Sequence, residues 1–268
     1  MTGPDRLRVL TWNLWWRFGP WEQRQAPILE VLRQTDADVI GLQEVWATED
    51  GDQLDDLAGA LGYHAARSPD PSPHGFGNAV LSRWPIDDHD WVHLPAANGQ
   101  PEHRTVLHAR IAAPFGPLTF FTTHLDHHLG HSALRCDQVT RIADFVAARR
   151  NDPEDGFPPV LCGDFNAAPD SDEIRRLVGL TQPPVEDLVF HDSWAQVGEG
   201  RGLTWNCDNP YITDTTWSRQ RIDYVFVGWP RPKPTGNPRR AWLIGTEPVD
   251  GVVPSDHYGI TVELAVSP

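Results

Sequence analysis

Cysteine is scarce in this 268-residue chain, which contains only three. Cys136, Cys162 and Cys207 are widely separated and form no Cys-x-x-Cys pair, so the sequence offers neither a disulfide framework nor a thiolate zinc site. No segment approaches the roughly 18 apolar residues that a membrane-spanning helix needs. The first stretch, MTGPDRLRVLTWNL, also lacks the apolar centre of a signal peptide. These features predict a soluble, cytoplasmic protein without stable membrane insertion.

Basic residues are few as well, with 22 Lys and Arg against 37 Asp and Glu and a net charge of −15. A protein that binds duplex DNA through many phosphate contacts normally has a basic surface. The composition therefore disfavours such a partner. It does not exclude one, because a few cations or bound metal ions can reverse the field locally. The stretch 229–240, WPRPKPTGNPRR, is the one strongly basic segment.

Strand-like and helix-like patterns alternate along the chain. Apolar spacing predicts helices over 22–34, 51–62, 131–150 and 171–179. Predicted strands cover 7–14, 38–45, 77–84, 90–94, 104–111, 118–125, 158–165, 221–228, 241–247 and 258–266. No loop separates two self-sufficient cores, so we expect residues 1–268 to form a single α/β domain in which helices cover sheets. We also expect the protein to be a monomer.

Polar side chains end several of these strands. In VLCGDFN, Asp164 and Asn166 should face one way and Phe165 the other, because strand side chains alternate. A simple strand-end turn, in which Asp and Asn bond their own backbone, explains this stretch equally well. The same pattern recurs, however, at Asn13, Glu44, His124, Asp223 and Asp256-His257. A buried unpaired carboxylate is costly, so six polar strand ends favour one shared pocket.

The residue types in this pocket suggest a particular chemistry. Several oxygen ligands without a thiolate pair favour Mg²⁺ or Mn²⁺ over zinc. Histidines add proton transfer or phosphate binding near neutral pH. A divalent ion, a carboxylate that activates water, and Asn and His donors together make a site for phosphoester hydrolysis.

Six motifs in one order carry a family resemblance. They are TWNLW (11–15), LQEV (42–45), TTHLD (122–126), GDFN (163–166), RIDYVF (221–226) and SDHYGI (255–260). Together they resemble the endonuclease/exonuclease/phosphatase superfamily, with its deoxyribonuclease I-like fold. The resemblance implies a four-layer α/β/β/α sandwich, in which two mixed β-sheets pack face to face with helices outside. It also implies a metal-dependent hydrolase acting on phosphoester bonds.

The resemblance assigns the metal and water sites to five side chains. Glu44 corresponds to the main metal ligand, and Asn13 and Asp256 to groups beside the metal or the phosphate. Asp164 resembles the carboxylate that orients or deprotonates the attacking water, and Asn166 the amide that holds this water or a phosphate oxygen.

The resemblance also assigns two histidines. His257 corresponds to the histidine that contacts the scissile phosphate, with Asp223 as its orienting carboxylate; the alternative for Asp223 is a structural salt bridge with Arg219 or Arg221. His124 resembles a second histidine on the phosphate side. Arg104 and Arg135 could reach the pocket, but packing or surface roles explain them more simply.

Other residues near the motifs leave two readings open. His127, His128 and His131 follow His124 closely and hint at a second metal, although a solvated loop accounts for them more simply. Asp126 could belong to the site or to that loop. Asn78 lies in a family-like stretch that we interpret mainly as sheet framework.

The substrate is less well defined by the sequence. A phosphodiesterase or nuclease acting on nucleic-acid ends, single strands or small nucleotide phosphodiesters is the leading hypothesis. The alternative is a phospholipid or sugar-phosphate phosphoesterase, and the remote alternative is a non-catalytic phosphate-binding relative. Trp15, Trp16, Trp205 and Trp217 fall in or beside predicted site loops, where they could stack a base or pack a lipid, or simply fill the core.

Overall fold

The computed structural model describes residues 5–49, 51–68, 76–97, 103–152, 154 and 156–266. Within these ranges the chain forms helices and strands in alternation. The helices are α1 (Trp21–Thr35), α2 (Gln53–Leu61), α3 (Ser132–Ala147), α4 (Asp172–Leu177) and α5 (Ser193–Val197). The strands are β1 (Arg6–Asn13), β2 (Val39–Thr48), β3 (Gly51–Asp52), β4 (His64–Arg67), β5 (Phe76–Ser82), β6 (Ile86–His93), β7 (Thr105–Ala113), β8 (Gly116–His124), β9 (Val160–Asp164), β10 (Val189–Asp192), β11 (Asp223–Trp229), β12 (Pro238–Ile244) and β13 (Gly259–Ala265).

The strands form two sheets. The first has the order β12-β13-β1-β2-β5-β4, with β3 paired to β2, and the second has the order β10-β11-β9-β8-β7-β6. In each sheet one central pair is parallel, β1 with β2 and β8 with β9. The strands on either side of these pairs are antiparallel. Both sheets are therefore mixed, as predicted.

Three apolar clusters separate the layers. Val9 and Val160 belong to the cluster between the two sheets. Their neighbours Leu10 and Leu161 point the other way, into clusters that the outer helices cover. The outer cluster on the first sheet is closed by α1 and α2, and that on the second sheet by α3 and α4. The order helix, sheet, sheet, helix confirms the predicted α/β/β/α sandwich.

The predicted helices are present, with changes at their ends. Gly62 ends α2 in the left-handed conformation, where a residue without Cβ is favoured, at φ +70°. The third predicted helix, 131–150, is shorter and ends at Ala147. Asp170 and Glu173 have the spacing of a capping pair in the sequence, but they do not cap α4. The cap residue is Ser171, which makes no side-chain hydrogen bond, and Glu173 is buried and paired with Arg135 of α3.

Polar side chains also occur between the sheets. Gln43 of β2 donates to Thr122 of β8 at 2.9 Å and to Thr11 of β1 at 3.2 Å. Gly41 lies so close to the opposite sheet that a Cβ there would be 2.4 Å from Cys162 Sγ. The two sheets therefore pack tightly at their centre, near the carboxyl ends of the parallel pairs. Among the described residues, no helix is both long and apolar enough to cross a bilayer.

Candidate active site

The central strands of both sheets bring their polar ends together. Asn13 ends β1, His124 ends β8 and Asp164 ends β9. His124 pairs with Asp164 across the parallel strands, and Asp223, which begins the antiparallel β11, pairs with Asp164 from the other side. The carboxyl ends of parallel strands lie at one edge of a sheet. Because the two sheets pack face to face, these side chains surround a common space.

A break in the ladder between β2 and β5 positions Glu44. The register shifts between Leu42 and Val45, and Glu44 itself has φ +55°. A bulge of this kind bends the strand and redirects a side chain. Regular alternation would send Glu44 to the helix side of the sheet, because Gln43 points between the sheets. The bulge instead turns its carboxylate toward Asn13, whose Nδ2 lies 3.4 Å from Glu44 Oε1.

Asp164 is the most heavily contacted carboxylate of the site. Its Oδ1 accepts a hydrogen bond from the backbone N–H of Asn166 at 2.9 Å. Its Oδ2 accepts from Asn13 Nδ2 at 3.0 Å and lies 3.4 Å from His124 Nε2 and 3.7 Å from His257 Nε2. Burial and the neighbouring Asp223 carboxylate raise the pKa of Asp164. Asp164 is thus held in place and is a stronger base than an ordinary aspartate.

His257 and Asp223 form a buried pair. His257 Nδ1 is 3.0 Å from Asp223 Oδ2, and both side chains are almost inaccessible. Burial opposes the charged imidazolium, but the carboxylates of Asp223 and Asp164 outweigh it and raise the pKa of His257 to about 10. Asp223 thus forms the pair that the resemblance implied rather than a salt bridge with arginine. His257 therefore carries a positive charge at neutral pH.

His124 has the opposite charge preference. Its Nδ1 lies 3.9 Å from Glu44 Oε1. Burial, Arg104 and His257 all lower the pKa of His124 well below its usual value. Two histidines with opposed environments face one carboxylate, an arrangement typical of sites that separate acid from base roles.

Arg104 lines the same cavity, although the sequence favoured packing or a surface role for it. It lies just before β7, half-buried, and its guanidinium is 3.4 Å from His127 Nδ1. Burial lowers the pKa of Arg104, while Glu44, Asp164 and Asp126 oppose that effect. Arg135, in contrast, donates to Glu173 and to backbone carbonyls and therefore has a structural role.

The turn that carries Asp256 and His257 depends on residues that sequence reasoning missed. Ser255 Oγ donates to the carbonyl of Asn13 at 2.7 Å and accepts from the N–H of His257 at 3.2 Å. Asn209 Nδ2 donates to the carbonyls of Ser255 and Asp256. These bonds fix the turn to the end of β1. Ser255 lies within a quoted motif, whereas Asn209 carries no signal in the sequence.

Arg24 is a further residue that sequence reasoning missed. It is fully buried, and its guanidinium donates to the carbonyls of Leu14 and Pro254 and to three carbonyls in residues 15–18. Trp15 and Trp16 have φ of +57° and +35°, so this loop needs such support. The signal was available: Arg24 falls four and seven residues before Ile28 and Val31 on the buried side of α1.

The side chains at the cavity floor fit a divalent cation. Glu44 Oε2 is buried without a hydrogen-bond partner. Burial raises the pKa of Asp256 to about 7, and Glu44 adds to the rise. Glu44, Asp164 and Asp256 thus form a crowded acidic pocket whose repulsion a cation would relieve. The available donors are carboxylate and amide oxygens, which suit Mg²⁺ or Mn²⁺.

Aromatic rings wall the cavity above these groups. It has a volume of about 420 Å³, and Trp15, Trp205 and Trp217 line it together with Phe18 and Phe76. The ring of Trp205 packs on His257, with 4.9 Å between centroids. Three of the four tryptophans singled out in the sequence therefore face the cavity. The fourth, Trp16, packs behind it against the rings of Phe18 and Phe76.

Other residues considered from the sequence lie elsewhere. Asn78 is buried and donates to the backbone and hydroxyl of Thr105, a framework role. The basic stretch 229–240 follows β11 at the end opposite Asp223. Seven strand residues place it about 20 Å from the site. Arg231 donates to carbonyl and amide oxygens of its own loop, at Thr235 and Asn237. This stretch does not line the cavity.

Comparisons with known proteins agree with this geometry. A sequence model of the endonuclease/exonuclease/phosphatase family matches residues 10–257. The inositol phosphosphingolipids phospholipase C of Schizosaccharomyces pombe is 28% identical over 297 aligned residues, covering 97% of this chain and 68% of that protein. Human tyrosyl-DNA phosphodiesterase 2 is 26% identical, over 61% of this chain and 43% of its own length. The crystal structure of D. rerio TDP2 complexed with single-strand DNA product superposes with a TM-score of 0.78 at 22% identity, covering 97% of this chain and 99% of that one.

Proposed function

The chain belongs to the endonuclease/exonuclease/phosphatase family and is a hydrolase of phosphoester bonds. We propose that it is a Mg²⁺- or Mn²⁺-dependent phosphodiesterase that acts on nucleic-acid ends, single strands or small nucleotide phosphodiesters. The observation that carries this proposal is the meeting of Asp164, His257 and Glu44 at the floor of a cavity with aromatic walls. We further propose that it works as a single-domain, cytoplasmic monomer.

Three residues would hold the metal ion. Glu44 provides the unpartnered buried oxygen, and Asn13 and Asp256 line the cavity beside it. A divalent cation held there would neutralise charge on the phosphate. Removal of any of these oxygens should therefore raise the metal concentration needed for activity.

The remaining groups divide the work of hydrolysis. Asp164, fixed by Asn13 and by the N–H of Asn166, accepts the proton of an attacking water. His257, kept protonated by Asp223, donates a hydrogen bond to a phosphate oxygen where negative charge develops. Asn166 donates through Nδ2 to the carbonyl of Leu125. The side-chain oxygen of Asn166 can then accept a hydrogen bond from the attacking water, as the family resemblance implies.

His124 and Arg104 complete the phosphate site. His124 is uncharged in its buried setting and can still donate one hydrogen bond to phosphate. Arg104 adds a cation at the cavity wall, where its planar guanidinium suits phosphate oxygens.

The surroundings of the cavity favour a substrate with few phosphates. A broad groove of about 1040 Å³ continues the cavity, and Leu129, Asn166 and Trp217 line both. Two arginines of this groove already pair with acids, Arg135 with Glu173 and Arg221 with Asp192. Few cations remain in this groove to neutralise a polyanion. A short single strand or the end of a nucleic acid is therefore favoured over a continuous duplex as substrate.

A lipid phosphodiester is the second candidate. Leu129 and Phe18 both line the cavity, and they are 57% and 48% exposed. Exposed apolar groups around an active-site mouth can contact acyl chains or a bilayer surface. The yeast relative, named as a phospholipase C, supports the same alternative.

One substrate panel separates the candidates. The purified protein with Mg²⁺ is assayed on a single-stranded oligonucleotide with a blocked end, the matching duplex, sphingomyelin in detergent micelles, an inositol phosphate and bis-p-nitrophenyl phosphate. We expect kcat/KM for the single strand to exceed that for the duplex and the lipid. A higher kcat/KM for sphingomyelin would replace our proposal by the lipid alternative. No hydrolysis of any substrate would contradict both.

Two variants make the panel specific. Asp164→Asn should lose activity on every substrate, which excludes a contaminating enzyme. Trp217→Ala should raise KM for the oligonucleotide with little change in kcat, because stacking on this ring would add binding rather than catalysis. Trp229→Ala is the matched control, since Trp229 is 42% exposed at the far end of β11.

A further inference from the structure

The loop after β8 contains a cluster of nitrogen and oxygen donors that the proposed reaction does not use. This rim loop, residues 126–131, joins β8 to α3 and includes His127 and Leu129, which line the cavity. Two buried side chains of α3 fix its backbone. Arg135 donates to the carbonyls of Asp126 and His128, and Gln138 Oε1 accepts from the N–H of Asp126 at 3.0 Å.

Three donor atoms of the rim loop converge on one point. Asp126 Oδ1 lies 3.1 Å from His128 Nδ1 and 2.9 Å from His131 Nδ1. Each of the three side chains offers one ligand atom that lies within 4.8 Å of those of the other two. The imidazoles of His128 and His131 lie alongside each other, with 4.7 Å between centroids. The N–H of His128 also donates to Asp126 Oδ1 at 2.9 Å, which holds that oxygen toward the rings.

These distances are close to those of a metal site. Ligands bound at about 2.0–2.2 Å in a tetrahedron lie about 3.3–3.6 Å apart, so the two spacings between Asp126 Oδ1 and the imidazole nitrogens need to widen by only about half an ångström. We propose that Asp126, His128 and His131 bind a transition-metal ion of the Zn²⁺ class. Two imidazoles and one carboxylate favour such an ion over Mg²⁺, which prefers oxygen alone.

The proposed site is separate from the catalytic one. It shares no ligand with Glu44, Asn13 and Asp256. The side chains of His128 and His131 are 57% and 38% exposed, so a fourth position stays open to water. The buried contacts of Arg135 and Gln138 supply the outer support that metal-binding loops need. A bound ion would fix the rim loop and, with it, the positions of His127 and Leu129.

Metal titration of the whole protein tests this site. In Glu44→Gln, which weakens the catalytic metal site, calorimetry should still detect one Zn²⁺ per chain at micromolar concentration. Co²⁺ at that site should give the intense visible absorption of four-coordinate nitrogen and oxygen ligation. The double variant His128→Ala, His131→Ala should lose at least about tenfold in Zn²⁺ affinity. His64→Ala, an exposed histidine on β4, should keep wild-type affinity.

The opposite results are equally clear. Unchanged Zn²⁺ affinity in the double variant, or no binding by the parent at micromolar Zn²⁺, would overturn the proposal. A weak, six-coordinate Co²⁺ spectrum from the Glu44→Gln protein would do the same without relying on the histidine variants. The melting temperature in chelator should be nearly the same with and without the two substitutions, because neither histidine belongs to an apolar core cluster.

Discussion

Replacing Asp223 by Asn tests the charge of His257. The pKa of His257 is raised from 6.5 to about 10, chiefly by Asp223 and Asp164. At 1.36 kcal/mol per tenfold step this corresponds to on the order of 5 kcal/mol in favour of the imidazolium. Asp223 makes the only direct hydrogen bond among these carboxylates, at 3.0 Å. We assign it about 2 to 3 kcal/mol, in the range for hydrogen bonds to charged groups.

The stabilisation of the imidazolium by Asp223 determines how kcat depends on pH. At pH values above both pKa values, a loss of about 2 to 3 kcal/mol lowers the fraction of His257 that is protonated, and with it kcat, by on the order of 30- to 150-fold. In the wild type the folded-state pKa of His257 is raised, so the imidazolium persists until the pH rises through that value. In Asp223→Asn the imidazolium is lost nearer neutrality, and the alkaline limb of kcat should move by about 2 pH units toward acid. A bound cation lowers both values, so the difference between the two proteins is the quantity to measure.

Steady-state kinetics with bis-p-nitrophenyl phosphate from pH 5 to 10 provide the assay. His257→Ala should cost more than Asp223→Asn, and the double variant should match His257→Ala alone because the two residues act as one unit. Asp90→Asn removes another Asp–His contact, that with His108 at 3.1 Å and outside the cavity, and should leave the profile unchanged. An unmoved alkaline limb in Asp223→Asn, or fully additive losses, would refute the reasoning.

Four further predictions follow from the same structure. EDTA should abolish activity and Mg²⁺ or Mn²⁺ restore it, and Glu44→Ala should raise the metal concentration required; full activity in chelator would contradict this. Asp164→Asn should lower kcat by roughly 100-fold or more, whereas its melting temperature in chelator should hold or rise, because burial already disfavours the charged carboxylate. Cleavage of oligonucleotides measured against salt should give a log–log slope on the order of −1 to −3, and a steep slope would indicate an extended polynucleotide groove. Gly163→Ala should lower the free energy of unfolding in urea by on the order of 3 kcal/mol, because φ is +144° and the new Cβ would be 2.0 Å from Thr123 O. Gly59→Ala in α2, with open space around it, is the control and should not destabilise the protein.

Much of the fold could be predicted because its signals are local. Apolar side chains that alternate with a period of two, followed by a polar residue, identified the central strands. They predicted Asn13, His124 and Asp164 at strand ends, where the structure has them. The four layers were implied by the family resemblance, and the alternation agrees with them because it sends Val9 between the sheets and Leu10 under α1. The strands β3, β4 and β10 escaped prediction because they are only two to four residues long and owe their pairing to longer neighbours.

The direction of individual side chains could not be predicted where the backbone departs from regular geometry. Glu44 was identified by its motif, but its aim depends on a bulge and a φ of +55° that no periodicity encodes. Arg24 acts through carbonyls that come together only in the fold. Arg104 seemed a packing residue because nothing in its local sequence shows that the strand beginning at Thr105 opens onto the cavity.

The stretch Asp164-Phe165-Asn166 shows why two competing interpretations of a motif can both hold. The strand ends at Asp164, and Asn166 lies beyond it with φ +48°, so simple alternation does not extend to Asn166. Its N–H binds Asp164 Oδ1, which is the turn that an ordinary strand end would make. That bond occupies one carboxylate oxygen and leaves Oδ2 facing Asn13 and the two histidines. The turn therefore orients Oδ2, the oxygen that we propose accepts the proton of the attacking water, so the residues that mark the strand end are the same residues that mark the site.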